Sequence, residues 1–288
     1  MKSYQMLRNS ILTVCVLLVA CGPKVPKADE THVDPKVIAH RGLISQDYPE
    51  NTMPAIVSAC KSSVFGIEYD VRLTKDNKLV VTHDEDISST SNGKGKVFKL
   101  TLNELQKYNF GGKKSQQHVP IATFEEAFYA CEASRKFQVI EIKDGAEYPK
   151  AKRLDEGKAV AQAIAEKVKT AGNEQRVVIG CFTTKILLHV QERYPNIGTH
   201  LFIGKRNVKE YISKKRVYAK PGSDAEKCLR GLKSVGVMSS ALTREVVDDF
   251  HRMGKEVNAW GIENRTEYER MKSIGVDSVT LEDVGLLK

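Results

Sequence analysis

From Lys36 onward the chain alternates short apolar runs with amphipathic helical stretches, and no other feature constrains its fold as much. Such alternation builds a parallel sheet, because each strand returns to the same end through a crossover helix. The runs predict strands over residues 37–40, 67–73, 137–142, 177–181, 199–203, 235–239, 257–260 and 277–281. Between them, Asn51 and Thr52 can cap a helix whose apolar face is Ala55, Ile56, Ala59 and Cys60. Thr123 with Glu126 reads as a capping box ahead of Phe124, Ala127, Phe128 and Cys131, and Thr266 with Glu269 repeats the device before Tyr268, Met271 and Ile274. Gly172, Gly254 and Gly275 fall where helices should stop. One apolar run breaks the rhythm. Residues 79–83 follow Leu73 after only residues 74–78, too few for a parallel crossover, so this pair predicts an antiparallel hairpin. With that excursion after strand two set aside, eight strands remain, and eight βα units in 288 residues predict an α/β TIM-type (β/α)8 barrel. A doubly wound open sheet is the competing architecture, but no G-x-G-x-x-G follows the first strand.

The N-terminus follows a different pattern. Lys2 and Arg8 precede a short apolar run over residues 11–20, too short for a stable membrane span, and the run ends Leu18-Val19-Ala20-Cys21-Gly22. This end resembles the bacterial lipobox, in which the Cys becomes the lipidated first residue of the mature protein. The expected organisation is therefore a lipoprotein signal peptide over 1–20, a polar, proline-containing tether over 21–35 anchored through Cys21, and a barrel domain over 36–288. The expected location is exported and membrane-anchored, facing the periplasm or the cell exterior. The net charge of +9 raises the question of anionic partners. The basic residues are spread along the chain, with one small cluster at Lys214-Lys215-Arg216. No zinc-finger, helix-turn-helix or aromatic RNA-binding pattern accompanies them, so no nucleic-acid partner is expected. Cys60, Cys131, Cys181 and Cys228 form no Cys-x-x-Cys pair and read as small apolar packing residues.

In a barrel of this type, reacting groups sit at the C-terminal ends of the strands. Strand one ends His40-Arg41-Gly42, strand two contains Glu68 and Asp70, the hairpin ends His83-Asp84, and strand three ends Glu141-Ile142-Lys143. The later strand ends offer chiefly Trp260 and Glu282. Glu68 and Asp70 are two apart, so a strand points both to one face, and Glu141 arrives from the neighbouring strand. Three carboxylates without a thiolate suit a hard cation, Ca2+ or Mg2+. The bland alternative is salt-bridging of these acids to Arg72, Lys143 or other bases. His40 and His83 supply two imidazoles that can exchange protons near neutral pH, with His83 read as the acid and His40 as the base. Arg41 and Lys143 can hold phosphate oxygens, neutralise the acids, or do both.

These residues resemble the glycerophosphodiester phosphodiesterase family. The matches are His40-Arg41-Gly42, Pro49-Glu50-Asn51-Thr52, Glu68-x-Asp70-Val71, Val81-x-His83-Asp84, Asn92-Gly93-x-Gly95, Thr101-Leu102-x-Glu104-Leu105, Glu141-Ile142-Lys143 and Gly275-Val276-Asp277. The resemblance implies a TIM barrel, Glu68, Asp70 and Glu141 as metal ligands, and His40 and His83 as an acid/base pair. It also implies a glycerophosphodiester substrate cleaved to glycerol 3-phosphate and an alcohol, by a route through the substrate's own glycerol hydroxyl and a cyclic phosphate. Arg41, Lys143 and Trp260 are the expected phosphate- and substrate-binding residues. The chain departs from the family at Ser89, Glu263, Leu281-Glu282 and Val284, all at positions that bear on the substrate pocket. Two other readings remain: a phospholipase-D-like or lysophospholipid-cleaving enzyme on the same barrel, and a non-catalytic phosphodiester-binding lipoprotein. Serine hydrolase chemistry is disfavoured because no G-x-S-x-G occurs.

Overall fold

The computed structural model describes residues 33–45, 48–112, 117–143 and 153–287. The expected leader, Cys21 and the expected tether up to residue 32 lie outside these described residues. The strands, in chain order, begin with β1 (Lys36–His40), β2 (Gly66–Leu73), β3 (Leu79–Val81), β4 (Ala122–Thr123), β5 (Phe137–Ile142) and β6 (Val177–Cys181). They continue with β7 (Gly198–Ile203), β8 (Ile212–Ser213), β9 (Arg216–Val217), β10 (Ser234–Met238), β11 (Glu256–Trp260) and β12 (Ser278–Leu281). The helices are α1 (Met53–Lys61), α2 (Leu102–Leu105), α3 (Phe124–Ala133), α4 (Arg153–Ala171), α5 (Thr184–Arg193), α6 (Val208–Tyr211), α7 (Asp224–Gly231), α8 (Arg244–Arg252) and α9 (Arg265–Ser273). Strands β1, β2, β5, β6, β7, β10, β11 and β12 pair in parallel and close on themselves through β1–β12 and β1–β2, as the βα rhythm predicts.

Alternation along each strand divides the side chains into two layers. Outward residues such as Ile67, Tyr69, Ile140, Ile179, Val235 and Val279 join the helix faces in one continuous core. A smaller apolar cluster, Ile38, Val139, Val178 and Phe202, fills the barrel interior, with Phe137 and Trp260 packed against it. Fully burying one such side chain contributes roughly 1.5–3 kcal/mol, so these two layers carry most of the driving force.

Strand β2 is longer than its neighbour requires. β1 pairs with it only from Gly66 to Glu68, whereas β5 pairs along the other edge from Gly66 to Val71. Beyond Glu68 the edge left by β1 is taken by β3, which runs antiparallel from Leu73↔Leu79 to Val71↔Val81. β4 then adds a third strand to β3. The excursion is thus more than the hairpin read from sequence: it carries α2 and its own core of Val80, Ile87, Val97, Leu105, Phe110 and Ile121. A second hairpin, β8–β9, had no sequence signal and is pinned to α8 by Arg216, which donates to both Asp249 oxygens at 2.6 Å.

The helix starts follow local chemistry. The Thr123 capping box forms in full. Thr52, not Asn51, caps α1. Asn264, not Thr266, caps α9 by accepting from Glu267 N at 3.0 Å, which leaves Thr266 inside the helix. Gly172, Gly254 and Gly275 take positive φ at helix ends. No described helix is long and apolar enough to cross a membrane.

Candidate active site

At the C-terminal mouth of the barrel, β1 ends at His40 and turns sharply. Arg41 and Gly42 both adopt positive φ, 57° and 90°. A Cβ on Gly42 would lie 2.7 Å from the Ala55 carbonyl carbon, so only glycine lets this turn close against α1. The turn brings the Arg41 side chain back over the site. Its Nη1 donates to both Glu50 oxygens at 3.0 and 2.9 Å, its Nε lies 3.3 Å from Asp70 Oδ2, and its backbone amide donates to Glu68 Oε2 at 3.1 Å.

The inward positions of β2 and β5 supply three buried carboxylates. Glu68, Asp70 and Glu141 each offer an oxygen, and these atoms lie within 4.8 Å of one another. Lys143 Nζ donates to Glu141 Oε1 at 2.7 Å and lies 3.4 Å from Asp70 Oδ1. Asn51, also at positive φ, brackets Asp70: its Nδ2 donates to Oδ2 at 2.8 Å and its Oδ1 accepts from the Asp70 amide at 3.2 Å. Glu68 Oε1 and Asp70 Oδ1 are nonetheless buried without a hydrogen-bond partner. Buried carboxylate oxygens without hydrogen bonds are costly, and Lys143 faces only one of these two. Three acids facing two cations, with two oxygens lacking a hydrogen bond, fit a hard divalent cation in both donor type and charge.

The electrostatics agree. Burial, reinforced by Asp70 and Glu141, pushes the Glu68 pKa well above the usual carboxylate range. Burial also raises Glu141. For Asp70 burial pushes the same way, but Lys143 and Arg41 overcome it and hold the group below its ordinary value. The cluster in the protein alone therefore keeps its charge down by disfavouring the ionised form of Glu68.

The two histidines flank this cluster. His40 Nε2 lies 3.8 Å from Glu68 Oε2 and Nδ1 lies 3.4 Å from Glu282 Oε1. His83 Nδ1 lies 2.7 Å from Asp84 Oδ1, and burial lowers its pKa. Its backbone is clamped as well: Arg72 Nε and Nη2 donate to the His83 carbonyl at 2.8 and 2.5 Å. Arg72 is therefore bonded to the histidine loop. Across the mouth stands an aromatic wall. Phe182 stacks on Phe202 at 5.3 Å, and Trp260 meets Phe182 edge-on, locked by its own Nε1 donating to Gly236 O at 3.0 Å. Both histidines, Glu282 and the three aromatic residues line one cavity of about 550 Å3, together with Arg206, Glu263 and Leu286.

The structure thus gathers His40, Arg41, Glu68, His83, Glu141, Lys143 and Trp260 at one cavity, with Asp70 directly behind. Sequence reasoning gave Asn51 only a capping role, weighed Arg72 only as a salt-bridge partner of the acids, and gave Glu50 and Asp84 no part in the site. The tetrad Pro49-Glu50-Asn51-Thr52 was the available signal for Glu50 and Asn51. Phe182 and Phe202 carried no local signal, because alternation alone makes them ordinary barrel residues.

Comparison with known proteins follows the same line. The model of the glycerophosphoryl diester phosphodiesterase family matches residues 40–286. A glycerophosphodiester phosphodiesterase from Caldanaerobacter subterraneus subsp. tengcongensis is 31% identical over 253 residues, covering 86% of this chain and 93% of its own. One from Bacillus altitudinis is 28% identical over 250 residues, covering 85% and 93%. Among solved structures, a phosphodiesterase from Oleispira antarctica in complex with the product sn-glycerol-3-phosphate shares the fold at a TM-score of 0.67 and 23% identity, covering 85% of this chain and 92% of its own. The family match takes in every strand of the barrel except the first residues of β1, and it begins at the first of the two histidines. This chain belongs to the glycerophosphoryl diester phosphodiesterase family.

Proposed function

We propose that the protein hydrolyses glycerophosphodiesters to glycerol 3-phosphate and an alcohol, with a divalent cation held by Glu68, Asp70 and Glu141 and with His40 and His83 moving the protons. The observation that carries this reading is the trio of buried carboxylates, with Glu68 Oε1 and Asp70 Oδ1 lacking a hydrogen bond, at the same mouth as both imidazoles. When bound, the cation would supply Lewis-acid polarisation of a phosphoryl oxygen. The chain's own residues do the rest. Arg41, already committed to Glu50 and Asp70, and Lys143 place positive charge where a phosphodiester anion must sit. Asp84 engages His83 Nδ1 and Glu282 faces His40 Nδ1, so each ring is oriented from its Nδ1 side. One ring withdraws a proton from the attacking hydroxyl and the other returns one to the leaving alkoxide. The aromatic wall keeps water from one side of the cavity and gives the organic part of the substrate an apolar surface.

The test is release of glycerol 3-phosphate from a panel of glycerophosphodiesters with Ca2+, Mg2+ or chelator. Release with either cation and its loss with chelator is the expected result. No release from any member, or undiminished release with chelator and no cation binding by calorimetry, overturns the reading. We also propose that the chain is exported and tethered to a membrane through a lipidated Cys21, on the strength of the Leu18-Val19-Ala20-Cys21 sequence. Cys21→Ser should release the protein from membranes or block its maturation; unchanged fractionation and processing count against lipidation.

A further inference from the structure

The cluster Lys214-Lys215-Arg216 has no part in the catalytic site and belongs to a longer basic stretch. Residues 205–220, between β7 and α7, carry seven basic residues against one acid, Glu210, in a chain whose whole excess is +9. Arg216 is committed to the acids of α8: it pairs with Asp249 and stands beside Glu245 and Asp248. Lys205, Arg206, Lys209, Lys214, Lys215 and Lys220 are exposed, and none forms an ion pair with a described residue. The backbone that carries them is held in place. Asn207 Oδ1 accepts from the Gly204 amide at 2.9 Å and its Nδ2 donates to the Phe202 carbonyl at 3.0 Å. The Tyr218 amide donates to the Tyr211 carbonyl at 2.7 Å, which closes the β8–β9 hairpin, and the Val217 amide donates to Asp249 Oδ2 at 3.0 Å. The stretch thus runs from Arg206, which lines the catalytic cavity, out to the hairpin tip. That tip breaks a local rule. Ser213 pairs with Arg216, so Lys214 and Lys215 form a two-residue turn, and both adopt positive φ, 49° and 59°. Such a turn favours Asn-Gly, and lysine is unfavourable at either place. Residues held against their backbone preference cluster at functional sites, and what these two add is exposed positive charge.

We propose that residues 205–220 are a docking strip for an anionic lipid surface, with Lys214 and Lys215 as its leading contacts. Six exposed cations without acid partners match the charge of such a surface, which attracts each lysine or arginine brought near it. Tyr218, half exposed just past the hairpin, adds an amphipathic ring of the kind that settles at a lipid–water boundary. A nucleic acid fits the same stretch less well. Helix α6 has four residues, too short to lie in a groove, and Tyr218 is the one exposed aromatic ring of the stretch, whereas single strands are held by stacking on several. Because the strip begins at Arg206, docking brings one wall of the catalytic cavity close to the lipid. The contact is reversible and salt-sensitive, and so differs in kind from a covalent tether through Cys21.

The test is sedimentation of the full chain with vesicles of phosphatidylcholine alone and with vesicles containing about one-third phosphatidylglycerol. A leader or an acyl chain adds to binding on both, so the difference between them reads the strip. Tighter binding to the anionic vesicles, weakening as NaCl is raised, is the expected result. Lys214→Asn combined with Lys215→Gly should weaken that binding roughly 30-fold and leave Tm unchanged or raised, since the turn accepts both replacements. Lys214→Arg combined with Lys215→Arg keeps the charge and should bind as the wild type does. Equal binding of the wild type to the two vesicles overturns the proposal, as does anionic binding that the first double variant leaves intact. Displacement from the vesicles by an RNA or DNA oligonucleotide that binds more tightly overturns it as well. Glycerol 3-phosphate release from a soluble substrate is measured separately, so this proposal and the catalytic reading can fail independently.

Discussion

At the scale of single residues, the site is a problem in charge placement. Asp70 is held ionised by Lys143 and Arg41, while Glu68, two residues away on the same face of β2, is pushed toward its neutral form by burial and by Asp70 itself. These acids and both histidines could be read from sequence because i, i+2 spacing and strand-end position are local properties. The groups that hold them could not. Asn51 reaches Asp70 only because a positive-φ residue folds the β1–α1 connection back, and Arg72 reaches the His83 carbonyl only because β3 lies beside β2. The histidine hypothesis makes a residue-level prediction. His40→Ala and His83→Ala should each lower kcat by roughly 10²–10⁴-fold while calorimetry shows the cation still bound, and the double variant should lose less than the product of the two. A nitrophenyl leaving group, which needs no protonation, should rescue whichever variant lost the acid. Near-normal rates in both single variants would remove the two-histidine mechanism.

At the scale of elements, the division of β2 between two partners on one edge is the central device. Where β1 stops, β3 begins, so the strand bearing Glu68 and Asp70 remains hydrogen-bonded on both sides past the barrel rim. The sequence showed the hairpin through its short connection, but β4 and the small core beneath the excursion were hidden. Their apolar residues are scattered over residues 80–121 with no single period. The β8–β9 hairpin was hidden for a related reason: two two-residue strands present no pattern, and Asp249 on a distant helix supplies the contacts that hold it. The β1–α1 turn leaves little room for change. Gly42→Ala would combine an unfavourable positive φ with a Cβ inside contact distance of Ala55. It should cost about 2–4 kcal/mol in urea unfolding and depress kcat, because the same turn aims Arg41. A midpoint within error of the wild type would show that the turn relaxes freely.

At the scale of the whole molecule, the barrel axis is polar at both ends and apolar between. Toward the strands' N-terminal ends, His200 is buried, with Nδ1 2.7 Å from Ser234 Oγ and Nε2 without a partner, and burial drives its pKa down to about 3. The unfolded chain takes up this proton near pH 6.5 and the folded chain does not. The contribution to stability is therefore complete above about pH 6.5 and is lost as pH falls toward 3, at up to about 1.4 kcal/mol per pH unit. His200→Asn should flatten this part of the urea-unfolding profile between pH 4 and 7; an unchanged slope would assign the acid sensitivity to other groups. The barrel as a whole was legible because βα alternation is a long, repeated signal, but the buried histidine in its interior was not, since one imidazole in an apolar strand looks like any other strand residue. The interior cluster of Ile38, Val139, Val178 and Phe202 has a further consequence. Among the described residues it closes the barrel interior beneath the site, so substrate and products share the C-terminal mouth. A product that departs slowly therefore competes with the next substrate for that mouth.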